Sequence, residues 1–315
     1  MWCTPGICSW TNPILSLHQT SRHLITYHSY ADDTQLFNSF LPSHTSQVAA
    51  CHQLENCIDE VQKWMDDNML ELNSDKTEAI LIGPQSRLKK CKVQSLNINE
   101  SIIPFTSSVK NLGIHIDSSL TMERHVSYLC KISHYQLGII GSIRHLITRD
   151  AAATLVRCMV MSRLDYGNSL FMGTSKQQIQ RLQQIQNKCA RIVTRSKQRC
   201  HISPVLDSLH WLRISERIEF KILCLTYQPV SKMAPTYLQE LVHPYVPSRR
   251  LRSSDQLLLK TPIYNLKTFG ARSFSYASAT LWNNLPLKLK NAKTLSSFKS
   301  NLKTYLFKRD NSVVE

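Results

Sequence analysis

Two stretches of alternating apolar residues, Leu24 to Tyr30 and Thr34 to Phe40, flank the adjacent carboxylates Asp32-Asp33. Period-two alternation on both sides of a short polar break predicts a β-hairpin over 24–40 with the acidic pair at its tip. Like charges side by side repel, and Asp is depleted in strands, so the pair is a poor stabiliser of a turn. It is well suited to divalent magnesium, a hard cation that takes oxygen ligands. For the dipeptide alone, a solvated turn is the ordinary reading.

Charge sorts along the chain. Through Glu78 there are 10 acidic and 3 basic residues, a balance of −7, and the remainder carries 12 and 35, a balance of +23. The total of +16 calls for a polyanion, most simply nucleic acid. A 42% hydrophobic content over 315 residues is that of a folded protein with a real core. The ten cysteines form no C-x-x-C pair and no zinc spacing, which suits reduced thiols in an intracellular protein. Nothing at the start reads as a signal peptide, and no apolar run reaches the roughly 18–20 residues of a membrane span, so no membrane partner is expected.

Beyond the hairpin, an amphipathic helix is expected from Ser43 or Thr45 to about Met69, with Leu54, Ile58, Val61 and Met65 on its apolar face. A polar turn, Leu72 to Glu78, leads to a strand over Ala79–Ile82 that Gly83-Pro84 ends. Short strands are expected over 92–117, with alternation placing Leu112, Ile114 and Ile116 on one face. Helices follow near 121–147, 149–163, 175–195 and 204–228, the last broken around Trp211 to Ser215. A Pro-rich passage holds a short helix near 235–242. The tail reads as strand-like pieces over 256–275 and a final helix from Thr294 presenting Leu295, Phe298, Leu302 and Leu306.

The whole string Tyr30-Ala31-Asp32-Asp33-Thr34-Gln35-Leu36-Phe37 resembles the catalytic hairpin of reverse transcriptases in the form carried by non-LTR, LINE-type, jockey-like retrotransposons. Further blocks follow in the same order. Leu72-Asn73 with Lys76-Thr77-Glu78 is similar to the loop after the palm helix, and Val109 to Asp117 to the strand pair that leads out of the palm. Leu164 to Asn168, Leu182 to Asn187, His201 to Leu206 and Leu209 to Leu212 resemble the helical region downstream. Phe269 to Phe274 and Leu281 to Pro286 resemble the C-terminus of the same group.

The resemblance implies an α+β fold: a degraded or non-homologous segment over 1–23, a truncated palm over 24–119, a helical thumb-like region over 120–230 and a C-terminal extension over 231–315. It implies RNA-directed DNA polymerase chemistry with Mg2+ as cofactor and an RNA template and DNA primer as partners. In that two-metal reaction Asp32 would ligate metal directly and Asp33 would assist. Tyr30 would pack near the primer end, and Lys76 would act as general acid or neutralise phosphate. A lysine in a polar turn is otherwise ordinary solvated surface. The resemblance also implies another aspartate on a strand well upstream, and fingers beyond it. Only 29 residues precede Tyr30, and they contain no Asp or Glu, so a catalytically incomplete palm is expected, its hairpin edges left open.

Basic residues carry the rest of the reading. Arg181, Lys188 and Arg195 recur every seven residues beside Arg191, lining one face of the 175–195 helix, while Ile179, Leu182, Ile185, Cys189 and Ile192 form its buried stripe. For one helix, a solvated surface is the ordinary reading. Arg249, Arg250 and Arg252, with Lys288, Lys290, Lys293, Lys299 and Lys303, repeat the sign, and together they suit sequence-tolerant contact with a phosphate backbone. His115, His201 and His210 read as structural, and Trp211 and Trp282 as core or interface anchors.

Overall fold

The computed structural model describes residues 25–31, 33–41, 43–70, 72–98, 101–247, 256–264 and 267–311. The expectations for 1–23, Asp32, Arg249, Arg250 and Arg252 fall outside them. The fold is α+β and divides into two compact units, Met1–Leu120 and Thr121–Glu315.

In the first unit, β1 (Thr26–Tyr30) and β2 (Asp33–Phe37) pair antiparallel, with Tyr30 opposite Asp33 and Thr26 opposite Phe37. Among the described residues no third strand joins either edge. Helix α1 (His44–Asp67) starts where Ser43 accepts a hydrogen bond from the Ser46 amide, which satisfies one of the donors a helix start leaves unpaired. It buries Gln47, Ala50, Cys51 and Val61. Strand β3 covers only Ala79–Ile80 and runs parallel to β5 (Ser101–Thr106), which pairs antiparallel with β4 (Ser95–Ile98). Cys51, Ala79, Leu96, Ile98 and Ile103 make the core of this unit.

A second hairpin joins β6 (Ser108–Asn111) to β7 (Ile114–Asp117). Here the expected face is corrected. Leu112 and Gly113 form the two-residue turn, both with positive φ (44° and 81°), the geometry whose twist matches a hairpin. Asn111 opposes Ile114 and Val109 opposes Ile116, so Val109 replaces Leu112 beside the two isoleucines.

The second unit is helical. Helix α2 (Glu123–Ser142) packs on α4 (Lys176–Thr194), and α3 (Arg149–Val156) runs into a π-helical turn, Arg157–Met161, before one further turn, Ser162–Asp165. The expected break near Trp211 is present, between α5 (Ile202–Ser208) and α6 (Ile214–Val230). Two glutamines, Gln186 buried and Gln183 half-buried, fix that break. Gln186 donates to the Leu212 carbonyl, and Gln183 accepts from the Ile214 amide at the start of α6. The buried stripe of α4 therefore turns toward Gln178 and Gln186, leaving Ile179 and Ile192 half-buried.

The strand-like reading of 256–275 is overturned. Its described residues hold one isolated bridge, Pro244 to Leu259, then a short helix at Lys267–Gly270 and the start of α7 (Phe274–Asn283). Pro244, Pro247 and Pro262 lack the N–H that a ladder needs, and Ser273 caps α7 by accepting from the Tyr276 amide. Trp282 is fully buried and donates from Nε1 to the Leu257 carbonyl at 2.8 Å. The last helix, α8 (Leu295–Asn311), buries Phe298, Leu302 and Leu306 completely against Trp282 and Tyr227.

Candidate nucleic-acid and metal-binding site

Tyr30 and Asp33 pair across the hairpin tip. Ala31 adopts a left-handed φ of 53°, which lets the strands reverse directly between Tyr30 and Asp33. Asp33 stands exposed at the start of β2, and the Tyr30 ring is 68% exposed beside it. The sheet behind the tip is braced by an edge-to-face contact of His28 on Phe37, centroids 5.4 Å apart.

The Lys76 loop is a separate piece of backbone. Asn73 shapes it, its side-chain Oδ1 accepting from the Lys76 amide at 3.1 Å and its carbonyl accepting from the Thr77 hydroxyl. Lys76 itself is exposed at the end of a 3₁₀ turn, Ser74–Lys76. Strand β6 anchors both pieces. Gln35, two residues past Asp33, donates to Asn111 Oδ1 at 2.9 Å. Glu78, two residues past Lys76, accepts from the Lys110 amide at 3.2 Å. The carboxylate arm and the lysine arm are thus tied to successive residues of one strand. Sequence reading missed Gln35, Asn111 and Lys110 as positioning residues. Gln35 lay inside the acidic string, but a glutamine after an acidic pair has no chemistry of its own to single it out.

Among the described residues no three His, Cys, Asp or Glu side chains cluster as metal ligands. Asp33 is exposed at the tip, and an ion that wants near-octahedral oxygen coordination would need further carboxylates beside it. Thiol chemistry is disfavoured in the second unit's core. Burial pushes the Cys189 thiol up to about 12 and the Cys224 thiol to about 11.

The basic face of α4 is largely spent on its own unit. Arg181 donates to Gln178 and to Ser127. Arg195 reaches back to the Arg144 carbonyl at 2.9 Å, at the end of α2. Arg144 in turn donates to the carbonyls of Ile192 and Val193 at the end of α4, so each arginine closes the other's helix. Arg191 donates to the Cys200 carbonyl, and Lys188 lies 3.4 Å from His134 Nδ1. Of the C-terminal lysines, Lys290 is buried, its ammonium donating to the carbonyls of Gln256 and Asn283. Lys288, Lys293, Lys299 and Lys303 are exposed. No helix among the described residues is long and apolar enough to cross a membrane.

Two curated proteins share sequence with this chain. The RNA-directed DNA polymerase from mobile element jockey of Drosophila funebris is 23% identical over 171 residues, which is 53% of this chain and 18% of that protein. Its counterpart in Drosophila melanogaster is 21% identical over 169 residues, again 53% of this chain and 18% of the relative. The match therefore spans less than a fifth of either relative's length. No family model matches the chain, and no solved structure does.

Proposed function

From this distant relationship to a jockey-type reverse transcriptase, we propose that the 315 residues form part of an RNA-directed DNA polymerase of a non-LTR retrotransposon. In this reading the first unit is part of the palm, and the second is a thumb-like region that holds a primer–template duplex. The observation that carries it is the convergence of the Tyr30–Asp33 hairpin and the Lys76 loop on adjacent residues of β6. Asp32 and Asp33 would supply one arm of a magnesium site. Lys76 would neutralise the triphosphate, and Tyr30 would meet the primer terminus.

The 29 residues before Tyr30 hold no carboxylate. In this reading the opposing arm would come from other polypeptide, and these residues alone would bind rather than polymerise. Primer extension with magnesium, run on this chain and on Asp32→Ala, tests the point. Background incorporation from both is expected. Incorporation that Asp32→Ala abolishes would show a complete site and overturn the incompleteness.

The charge division favours a second reading, a basic nucleic-acid-binding remnant without enzymatic role: the first unit holds 12 acids and 8 bases, the second 10 and 30. Adding a polypeptide that carries fingers and the opposing aspartate strand separates the two. Restored extension supports the polymerase part, and duplex binding without restoration supports the remnant.

A further inference from the structure

A cavity of about 480 Å³ opens on the second unit, lined only by that unit's residues. Its wall begins on the π-helical turn, where the wider winding places Arg157 and Met161 together on one side. Arg217 and Lys221 of α6 and Lys303 of α8 add three cations, and the Trp211 indole stands half-buried among them. One carboxylate, Asp165, lines the same space and is consumed by a two-pronged pair with Arg217. Arg157 gives only Nε to the Ala153 carbonyl, and neither Lys221 nor Lys303 has an acidic partner among the described residues. Asn168, 5% exposed, also lines the cavity, and its Oδ1 has no hydrogen-bond partner.

This combination is uneconomical as a fold element. Arg157, Lys221 and Lys303, all exposed, line one cavity without an acidic partner among the described residues, a buried amide oxygen goes unsatisfied, and a π-turn interrupts a helix. It suits a ligand that brings negative charge, a flat ring and an N–H donor together. We propose that the cavity binds one unstacked nucleotide, its phosphate held by Lys221, Lys303 and Arg157, its base lying against Trp211 and within reach of Asn168. The choice of ligand rests on the nucleic-acid reading above, but the site shares no residue with the hairpin.

The test uses the full chain and a labelled eight-nucleotide strand of deoxycytidylate, with dCMP and inorganic phosphate as competitors and a duplex as a separate ligand. Trp211→Leu keeps an apolar side chain but removes the stacking ring, and should weaken strand binding by about ten-fold or more without changing its salt slope. Lys221→Gln with Lys303→Gln should weaken it too, and lower the slope of log affinity against log salt by roughly 0.7 for each phosphate no longer neutralised. If Trp211→Leu fails to fold, the exposed lysine pair decides the matter. Competition by dCMP identifies a free nucleotide as the occupant, and its failure identifies a nucleotide within a strand. Wild-type strand affinity in the lysine pair, or displacement of the strand by inorganic phosphate at the concentrations where dCMP is tested, would overturn the proposal. Loss of duplex binding with strand binding intact would sink the thumb reading and leave the cavity standing.

Discussion

Arg195 illustrates how a residue's position can be visible while its task is not. Heptad spacing placed it on the exposed face of α4, but it sits just past the helix with a left-handed φ of 57°, where its side chain reaches the end of α2. A guanidinium on open carbonyls satisfies acceptors that a helix end leaves unpaired. Arg144→Ala, which strips the Ile192 and Val193 carbonyls of their donor, is expected to lower the thermal midpoint of the second unit. Arg144→Lys should recover little, because one ammonium cannot span the three carbonyls that the fork reaches. Thermal scans of the two variants check this, and equal midpoints for Arg144→Lys and wild type would refute it.

His134 sets a second residue-scale expectation. Burial, and then the nearby Lys188 ammonium, hold its imidazole below the ordinary value. A histidine with a depressed folded pKa favours the fold while neutral. Its contribution is therefore full above the unfolded value of about 6.5, and is lost as the pH falls from there through the lowered folded value. Lys188→Gln should move the imidazole titration upward, read by NMR of the ring protons. A titration curve that does not move would show that Lys188 has no part in it.

At the scale of elements, period and punctuation carried most of the information. The Asp32-Asp33 hairpin, α1 with its Ser43 cap, the break before α6 and the apolar face of α8 all announce themselves through alternation, capping residues or i, i+4 spacing. The Leu112 turn did not, because an apolar Leu112 in phase with Ile114 and Ile116 carries their alternation into the turn and hides the shift of phase that puts Val109 on their face. The segment from 256 failed for the opposite reason. Its run of leucines looks like a strand, yet tertiary bonds organise it: the Leu259 amide donates to Asn283 Oδ1, and Asn283 Nδ2 returns a bond to the Leu259 carbonyl. Such long-range pairing leaves no local trace. It also explains the late sequence blocks. Trp282 and Asn283 hold the 257–259 backbone, and Asp165 anchors α6 through Arg217. Those blocks specify packing.

The same elements predict energies. Leu112→Asn, which tolerates positive φ far better than a branched side chain does, should stabilise the β6–β7 hairpin by about 0.5–1 kcal/mol. Phe298→Ala empties a fully buried site stacked on Tyr227 at 4.5 Å between centroids, and should cost about 3–5 kcal/mol. Denaturant midpoints measured by a probe in each unit would show whether the two effects stay local, with a loss under about 1 kcal/mol for Phe298→Ala counting against the packing described.

For the whole molecule, the decisive quantity is the placement of charge. The first unit carries −4 and the second +20, so a polyanion is attracted to one and repelled by the other. Counterion release ties the salt slope of binding to the number of phosphates neutralised, so removing a lysine that meets a phosphate lowers the slope while removing a bystander does not. Lys290 is a bystander by this criterion, since its ammonium is buried on backbone carbonyls. Lys293 and Lys299 are exposed in the same region, whereas Lys89, Lys90 and Lys92 belong to the acidic unit. Glutamine at Lys293 and Lys299 together should therefore reduce the slope for a generic duplex by about 2, at roughly 0.9 for each phosphate neutralised. Glutamine at Lys89, Lys90 and Lys92 should leave it unchanged. Equal slopes for the two variants would mean that duplex binding is not confined to the second unit, and the thumb-like assignment would fall with it.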